Sequence, residues 1–339
     1  MILTLNLGSS SLKFGTFADD ALPRESDQIS SGSLSTSGID MDGVLEEIAQ
    51  RTAGSRLRAI GHRVAFGGQD HVEPEIVTDA LLAKLDGLVP LLPLHLPREI
   101  SLMRKAAERF AGIPQVACFD TAFHAAMPSV AKRMAIPRKL WNDGFRRYGF
   151  HGLSYEYIVG RLGEDARGRV IIAHLGSGAS LAAVRDRSPV DTTMGFSVMS
   201  GLMMGTRPGD LDPGVLVSLM RSGYDAEALN RLLEEGCGLL GVSEISADVA
   251  VLLERQTQDA RAAEALELFA YTARKHVGAL TAVLGGLDLL VFTGGIGEHA
   301  APVRDAIVAG LVPPKPEVRV IPTNENFIIA RHTYATMRR

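Results

Sequence analysis

Leucine and β-branched residues dominate positions 2–7, a polar run Gly8-Ser9-Ser10-Ser11 follows, and apolar character returns over 12–17. That order predicts two strands joined by a tight turn. A second hairpin of the same build is predicted at 170–175 and 179–184, joined by Gly176-Ser177-Gly178. Both turns are entered through Leu-Gly-Ser, at Leu7 and at Leu175. The repeat is either coincidence or the mark of a duplicated α/β domain in which each half opens with a hairpin. Between the hairpins, 81–88 and 99–110 place apolar residues near helical spacing, and 115–119 reads as a short buried strand. Residues 260–284 form a long amphipathic helix ended by Gly285-Gly286. The stretch 287–292, apolar except for Asp288, suits a parallel strand buried on both faces. Thr293-Gly294-Gly295-Ile296-Gly297-Glu298 then reads as a glycine-rich turn before another helix, and 318–321 as a later strand. Helices alternating with strands in both halves predict an α/β protein.

With 339 residues, the chain exceeds one ordinary core and fits two domains. A net charge of −4 argues against nucleic acid or an anionic membrane as the main partner. Short basic runs such as Arg146-Arg147 read as solvated surface. Cys118 and Cys237 make neither a metal-type pair nor a disulfide framework, so a reducing, cytoplasmic compartment is expected. The first residues lack the basic region and cleavage site of a signal peptide. No uncharged apolar run reaches the ~20 residues needed to span a bilayer.

Three glycine-rich turns, at Gly8, Gly176 and Gly294, each follow an apolar strand. Such turns expose backbone N–H groups and let phosphate oxygens approach closely. Lys13, just past the first, can reach a phosphate as a point charge. Taken together they favour nucleotide binding, although no Walker-type P-loop is present. A dinucleotide fingerprint competes at Gly295-Ile296-Gly297-Glu298-His299-Ala300. Its acidic partner, Glu325, lies roughly 30 residues on, against about 20 in that fingerprint. Arg63, His151 and Arg207 stand in glycine-flanked turns, as ligands of an anion or as plain surface and structural residues. Asp120 ends a strand, where α/β folds place ligands, and could equally cap the segment beginning at Thr121.

The set then resembles the acetate kinase family. The matching pieces in the first half are Asn6-Leu7-Gly8-Ser9-Ser10-Ser11-Leu12-Lys13, Gly61-His62-Arg63-Val64, Phe119-Asp120-Thr121-Ala122-Phe123-His124 and Tyr148-Gly149-Phe150-His151-Gly152. Those in the second half are His174-Leu175-Gly176-Ser177-Gly178-Ala179-Ser180, Asp191-Thr192-Thr193-Met194-Gly195-Phe196, Gly205-Thr206-Arg207, Phe292-Thr293-Gly294-Gly295-Ile296-Gly297-Glu298 and Ile321-Pro322-Thr323-Asn324-Glu325. No single piece is specific; the joint pattern, covering nearly the whole chain, is.

The resemblance implies an α/β, duplicated actin-like (ribonuclease H-like) two-domain fold with an interdomain active-site cleft. Domains are expected at 1–147, joined by 323–339, and at 148–322. It implies a homodimer that binds ATP or ADP with Mg2+ (or Mn2+) and a short-chain carboxylate or its acyl phosphate. Asn6 and Glu325 are the implied metal residues. Ser9, Ser11, Lys13, His174, Leu175, Gly176, Ser177, Gly178, Gly294, Gly295, Ile296, Gly297 and Glu298 are the implied nucleotide contacts. Arg63 is the implied ligand of the acid's carboxylate, with Ala65, Leu94 and Phe150 lining its apolar pocket. Asp120, His151 and Arg207 are the implied catalytic residues.

Departures from the family pattern are equally specific. The chain is shorter between Lys13 and Arg63 and between Glu298 and Glu325. Ala250 replaces an arginine of the nucleotide site, Ser177 and His299 each replace an asparagine, and Leu96 interrupts Pro-Leu-His-Asn-Pro. Ala65 replaces the pocket valine of acetate-using members and Val198 a proline. The extra room at Ala65 favours accepting propionate or a longer acid beside acetate. Three readings follow: a carboxylate kinase, an ATP-binding relative acting as a sensor, or a nicotinamide-dependent oxidoreductase using Gly295 to Ala300.

Overall fold

A computed structural model describes residues 1–8, 11–35, 41–54 and 56–339; Ser9 lies outside the described residues. The chain divides into two compact units, one of Met1–Ala125, His151–Tyr157 and Asn324–Arg339, the other of Ala126–Phe150 and Ile158–Thr323. Beside the expected boundaries at 147 and 322, segment 126–150 groups with the second unit and 151–157 with the first, while 324–339 groups with the first. The cause is local. Arg147 donates to the carbonyls of Thr192 and Thr193, and Tyr148 N–H to Gly195 O, which ties 126–150 to the second unit. The N–H groups of His151 and Leu153 instead bond the carboxylate of Asp120.

The first unit is built on a six-stranded sheet: β1 Ile2–Leu7, β2 Ser11–Phe17, β3 Gln28–Ser35, β4 Ala59–Val64, β5 Glu75–Ile76 and β6 Gln115–Phe119. The spatial order is β3-β2-β1-β4-β6-β5. β1, β2 and β3 form an antiparallel meander, and β4 and β6 add in parallel on the other side of β1. The core gathers Leu3, Leu5, Leu7, Leu12 and Phe14 from the hairpin against Val44, Leu45 and Ile48 of the helix Met41–Arg51. The C-terminal helix Glu325–Thr336 packs on β1, β4 and β6. It comes so close that a Cβ on Gly61 would sit 2.2 Å from Thr333 Oγ1.

The second unit repeats the plan with β7 Val170–Leu175, β8 Ala179–Arg185, β9 Ser188–Thr192, β10 Leu289–Thr293 and β11 Glu317–Val320. Their order is β11-β10-β7-β8-β9, with β7, β8 and β9 antiparallel and β10 and β11 parallel to β7. Apart from the extra edge strand β5, this is the order of the first sheet, so the twin hairpins mark a duplication. The helix Ala260–Leu284 covers β7, β8 and β9 and ends on Gly285 in a left-handed conformation, as its Gly-Gly signal predicts. An antiparallel meander of this kind does not occur in the doubly wound parallel sheet of dinucleotide-binding domains, which removes the oxidoreductase reading. Among the described residues, no helix is long and apolar enough to cross a membrane.

Candidate active site

In each unit candidate residues gather at the carboxyl ends of the parallel strands. In the first, β4 delivers Arg63 and β6 runs into Asp120. Asp120 is fully buried, and its Oδ2 lies 2.8 Å from Arg63 Nη2. The same oxygen accepts the His151 N–H at 2.8 Å, and Oδ1 accepts that of Leu153 at 3.2 Å. The carboxylate therefore does not cap its own following segment. It satisfies N–H groups that have no partner within their own helix, at the start of the distant helix Gly152–Leu162. Gly152 is required there: a Cβ would stand 2.2 Å from the Asp120 carbonyl oxygen. His151 is held at φ 59°, left-handed backbone that costs a non-glycine residue about 1–3 kcal/mol. The Asp120 bond to its N–H offsets that cost and fixes where the imidazole departs from the chain.

Arg63 is held on several sides. Its Nη1 donates to Leu7 O at 3.2 Å and lies 3.6 Å from Glu99 Oε1. Burial alone would lower its pKa. The carboxylates of Asp120, Glu99 and Glu325 outweigh that and hold the guanidinium charged, above its ordinary value. Glu99, in the helix Leu96–Arg109, is 3% exposed and accepts the Ala65 N–H through Oε2 at 2.9 Å. Burial pushes its carboxyl up to about 7, against the opposing pull of Arg63 and the Ala65 bond. The sequence signal for Glu99 is slight: an acid among the apolar positions of an amphipathic helix. At the end of β1, Asn6 Nδ2 donates to Glu325 Oε2 at 2.7 Å, joining residues 319 positions apart. Lys13 is exposed, opposite Asn6 in the β1–β2 register, and Ser11 is half-buried. Ala65 is buried, whereas Leu94 is 37% exposed. Phe150, although buried, belongs to the second unit.

In the second unit the glycine run after β10 is not a turn. Gly294–His299 is a short helix that starts directly from the strand. Gly294 N–H donates to Glu298 Oε1 at 3.0 Å, and the same oxygen accepts the Thr323 N–H at 3.2 Å. Glu298 thus holds the backbone of this segment. Gly294 has φ 76°, and a Cβ would meet Leu175 O at 2.8 Å, so only glycine lets the segment lie this close to β7. The β7–β8 turn closes through Gly176 N–H to Gly178 O, and Ser177 O accepts from Gly205 N–H. That bond ties the turn to the loop carrying Arg207, whose Nη1 donates to Val198 O at 2.7 Å.

Beside these elements lies a cavity of about 510 Å³. Gly176, Ser177, Gly295 and Ile296 wall one part; Ala250 and Leu253, from the helix Val249–Arg255, wall another, with His299 also lining it. Three positions that depart from the family pattern, 177, 250 and 299, thus meet in one place. Glycine backbone at one part and aliphatic walls at another suit a phosphate tail and a flat apolar ring respectively.

Comparison with known proteins decides the family. A family model described as "Acetokinase family" matches residues 25–313. The chain belongs to the acetokinase family. Its relatives include an acetate kinase of Rhodopseudomonas palustris, 40% identical, the alignment covering 98% of both chains. That alignment runs over 391 positions, so this relative carries insertions that the 339-residue chain lacks. Among solved structures of the family, a propionate kinase from Francisella tularensis matches with TM-score 0.88 at 31% identity. The match covers 98% of this chain and 99% of that one. Acetate kinase from Porphyromonas gingivalis matches with TM-score 0.84 at 31% identity, covering 99% of each. A ROK family glucokinase from Streptomyces griseus, 14% identical with TM-score 0.52 over 100% of this chain and 99% of that one, shares the fold alone. The architecture is the duplicated α/β, actin-like one that this acetokinase-family sequence implied.

Proposed function

We propose that the protein is a short-chain carboxylate kinase, carrying out ATP + acetate = ADP + acetyl phosphate reversibly by direct in-line transfer. The observation that carries this reading is the pairing of half-buried Arg63 with fully buried Asp120, with His151 anchored on the same carboxylate, within a chain of the acetokinase family. A carboxylic acid is ionised at neutral pH, so its oxygen attacks the γ-phosphorus without a general base. The bond from that oxygen to phosphorus forms as the bond from phosphorus to the ADP oxygen breaks. The obstacle is to hold one anion against another, which requires fixed cations around the transferred group. In this scheme Arg63 binds the acid's carboxylate, and His151 and Arg207 stabilise charge on the equatorial oxygens. Asp120 fixes Arg63 and the His151 backbone and moves no proton. Gly176 to Gly178 and Gly294 to Ile296 receive the nucleotide.

Asn6 and Glu325 supply an amide and a carboxylate at hydrogen-bond distance, an oxygen-donor set that suits a hard cation. Among the described residues no group of three or more His, Cys, Asp and Glu forms a metal cage. The Asn6–Glu325 pair suits Mg2+, which binds through one or two carboxylates plus substrate phosphates. When bound, the ion neutralises phosphate charge during transfer.

Purified protein with Mg-ATP, hydroxylamine and a panel of formate, acetate, propionate and butyrate tests the reading. Hydroxamate should form with acetate and vanish with chelator. No hydroxamate with any acid, from folded protein that still binds ATP, would refute it and favour the sensor reading. Propionate is the second substrate to expect, because Ala65 is buried and small. A hydrophobic pocket separates acids one methylene apart by only about 1–3 kcal/mol.

A homodimer in the cytoplasm completes the proposal. The helix Pro213–Arg221 buries none of its residues, and Leu211, Val215, Val217, Met220 and Tyr224 are all exposed around it. An apolar stretch of this kind fits a second copy of the chain. Met220, 58% exposed, is a sensitive position. Met220→Glu should shift the mass measured by light scattering from dimer towards monomer, and an unchanged mass would place the interface elsewhere.

A further inference from the structure

We infer that Glu99 is a proton-linked positioning residue, taking up a proton on Oε1 when the substrate carboxylate binds Arg63. The inference rests on the carboxylate-kinase reading and deepens it. Arg63 is the one cation that the first unit offers to the acid in that scheme, yet internal carboxylates already surround it. Asp120 touches it at 2.8 Å, Glu99 stands at 3.6 Å, and Glu325 adds its field. With all three ionised, the guanidinium is more than neutralised, and an arriving anion meets net negative charge. Burial weakens solvent screening of these charges, so the repulsion persists at physiological salt.

Two of the three carboxylates have other commitments. Asp120 accepts the His151 N–H on Oδ2 and the Leu153 N–H on Oδ1, so both of its oxygens are already engaged with the backbone. Glu325 holds Asn6 and belongs to the metal pair. Glu99 is different. Its Oε2 accepts the Ala65 N–H and can go on doing so when the acid is neutral. That leaves Oε1, the atom facing Arg63, to carry the proton. Neutralising it removes one of the negative charges that oppose the substrate at Arg63. The charged groups acting on Glu99 are Arg63 from β4, Asp120 from the end of β6, and Arg98 from its own helix. In agreement with this geometry, burial already brings its pKa to about 7, within reach of a physiological proton.

Proton uptake on binding has a definite signature. Above the pKa of Glu99, the KM for the carboxylate should rise with pH, approaching about tenfold per unit, the limit for one linked proton. The substrate acid itself contributes nothing, since it stays ionised throughout this range. The experiment measures KM for acetate from pH 6.5 to 8.5 at saturating Mg-ATP, and KM for Mg-ATP at saturating acetate, for the wild type and Glu99→Gln. Expected are a KM for acetate rising at least about tenfold across the range, a KM for Mg-ATP without that slope, and a flat acetate profile in Glu99→Gln. A flat wild-type profile, a slope shared by Mg-ATP, or a slope kept in Glu99→Gln would each overturn the inference. Should Glu99→Gln fail to fold, Glu99→Asn and the wild-type series decide the matter. Absence of hydroxamate at every pH would instead overturn the carboxylate-kinase reading on which the inference stands.

Discussion

Arg207→Ala is expected to lose at least about two orders of magnitude in turnover while the protein stays folded. In other phosphoryl-transfer enzymes an arginine that stabilises transition-state charge is worth roughly 10³–10⁵ in rate. A loss smaller than that range is allowed for because His151 shares the work in the proposed scheme. Arg207 Nη1 donates to Val198 O, a backbone bond worth only about 0.5–1.5 kcal/mol net. Loss of that bond should leave the far-ultraviolet spectrum unchanged and the melting temperature within a few degrees. Steady-state kinetics should show the deficit in kcat rather than in KM for either substrate. Turnover within a few-fold of wild type would exclude Arg207 from the reaction.

Asp120→Ala acts on the frame as well as on the chemistry. The substitution leaves the half-buried Arg63 guanidinium without its 2.8 Å partner and strips the acceptor from the N–H groups of His151 and Leu153. Removing one member of a buried ion pair typically costs about 3–5 kcal/mol. Glu99 already stands 3.6 Å from Arg63 and can take over part of the pairing, so a loss near the lower end, about 3 kcal/mol, is expected. Urea unfolding measures it directly, and activity should fall below detection in the hydroxamate assay, because His151 loses its anchor. Full activity with unchanged stability would show that neither Arg63 nor His151 depends on this carboxylate.

Much of the fold was legible from short windows of sequence. The hairpins at 2–17 and 170–185 declare themselves because a polar or glycine turn between apolar runs leaves few other solutions. The helix Ala260–Leu284 is bounded as its periodicity and Gly-Gly stop predict. The third strand of each meander escaped. Gln28–Ser35 is mostly serine and glycine with no buried residue, and Ser188–Thr192 is an edge strand. Such strands are stabilised by pairing with a neighbour rather than by burial, so their residues carry no periodic signal. The run 294–298 misleads in the other direction. Glycine is a poor helix former, yet Glu298 capping the Gly294 N–H and the close approach to β7 make it a helix.

What the sequence by itself determined is therefore the class of architecture, its internal duplication, and the family to which its scattered glycines, cations and acids point. Each of these is written in local order, as turn chemistry and hydrophobic period. What only the tertiary structure decided is how those residues act on one another. Asp120 reads equally well as a cap or a ligand until β6 ends beside Arg63 and the start of a helix 31 residues on. Glu99 is one acid among many along a helix until that helix buries it within reach of Arg63 and the Ala65 N–H. Asn6 and Glu325 are separated by almost the whole chain until the C-terminal helix returns to β1. The physical reason is common to all three. A carboxylate's charge, partners and proton affinity are set by burial and by neighbours a few ångströms away, and those neighbours come from strand ends and helices far apart in sequence.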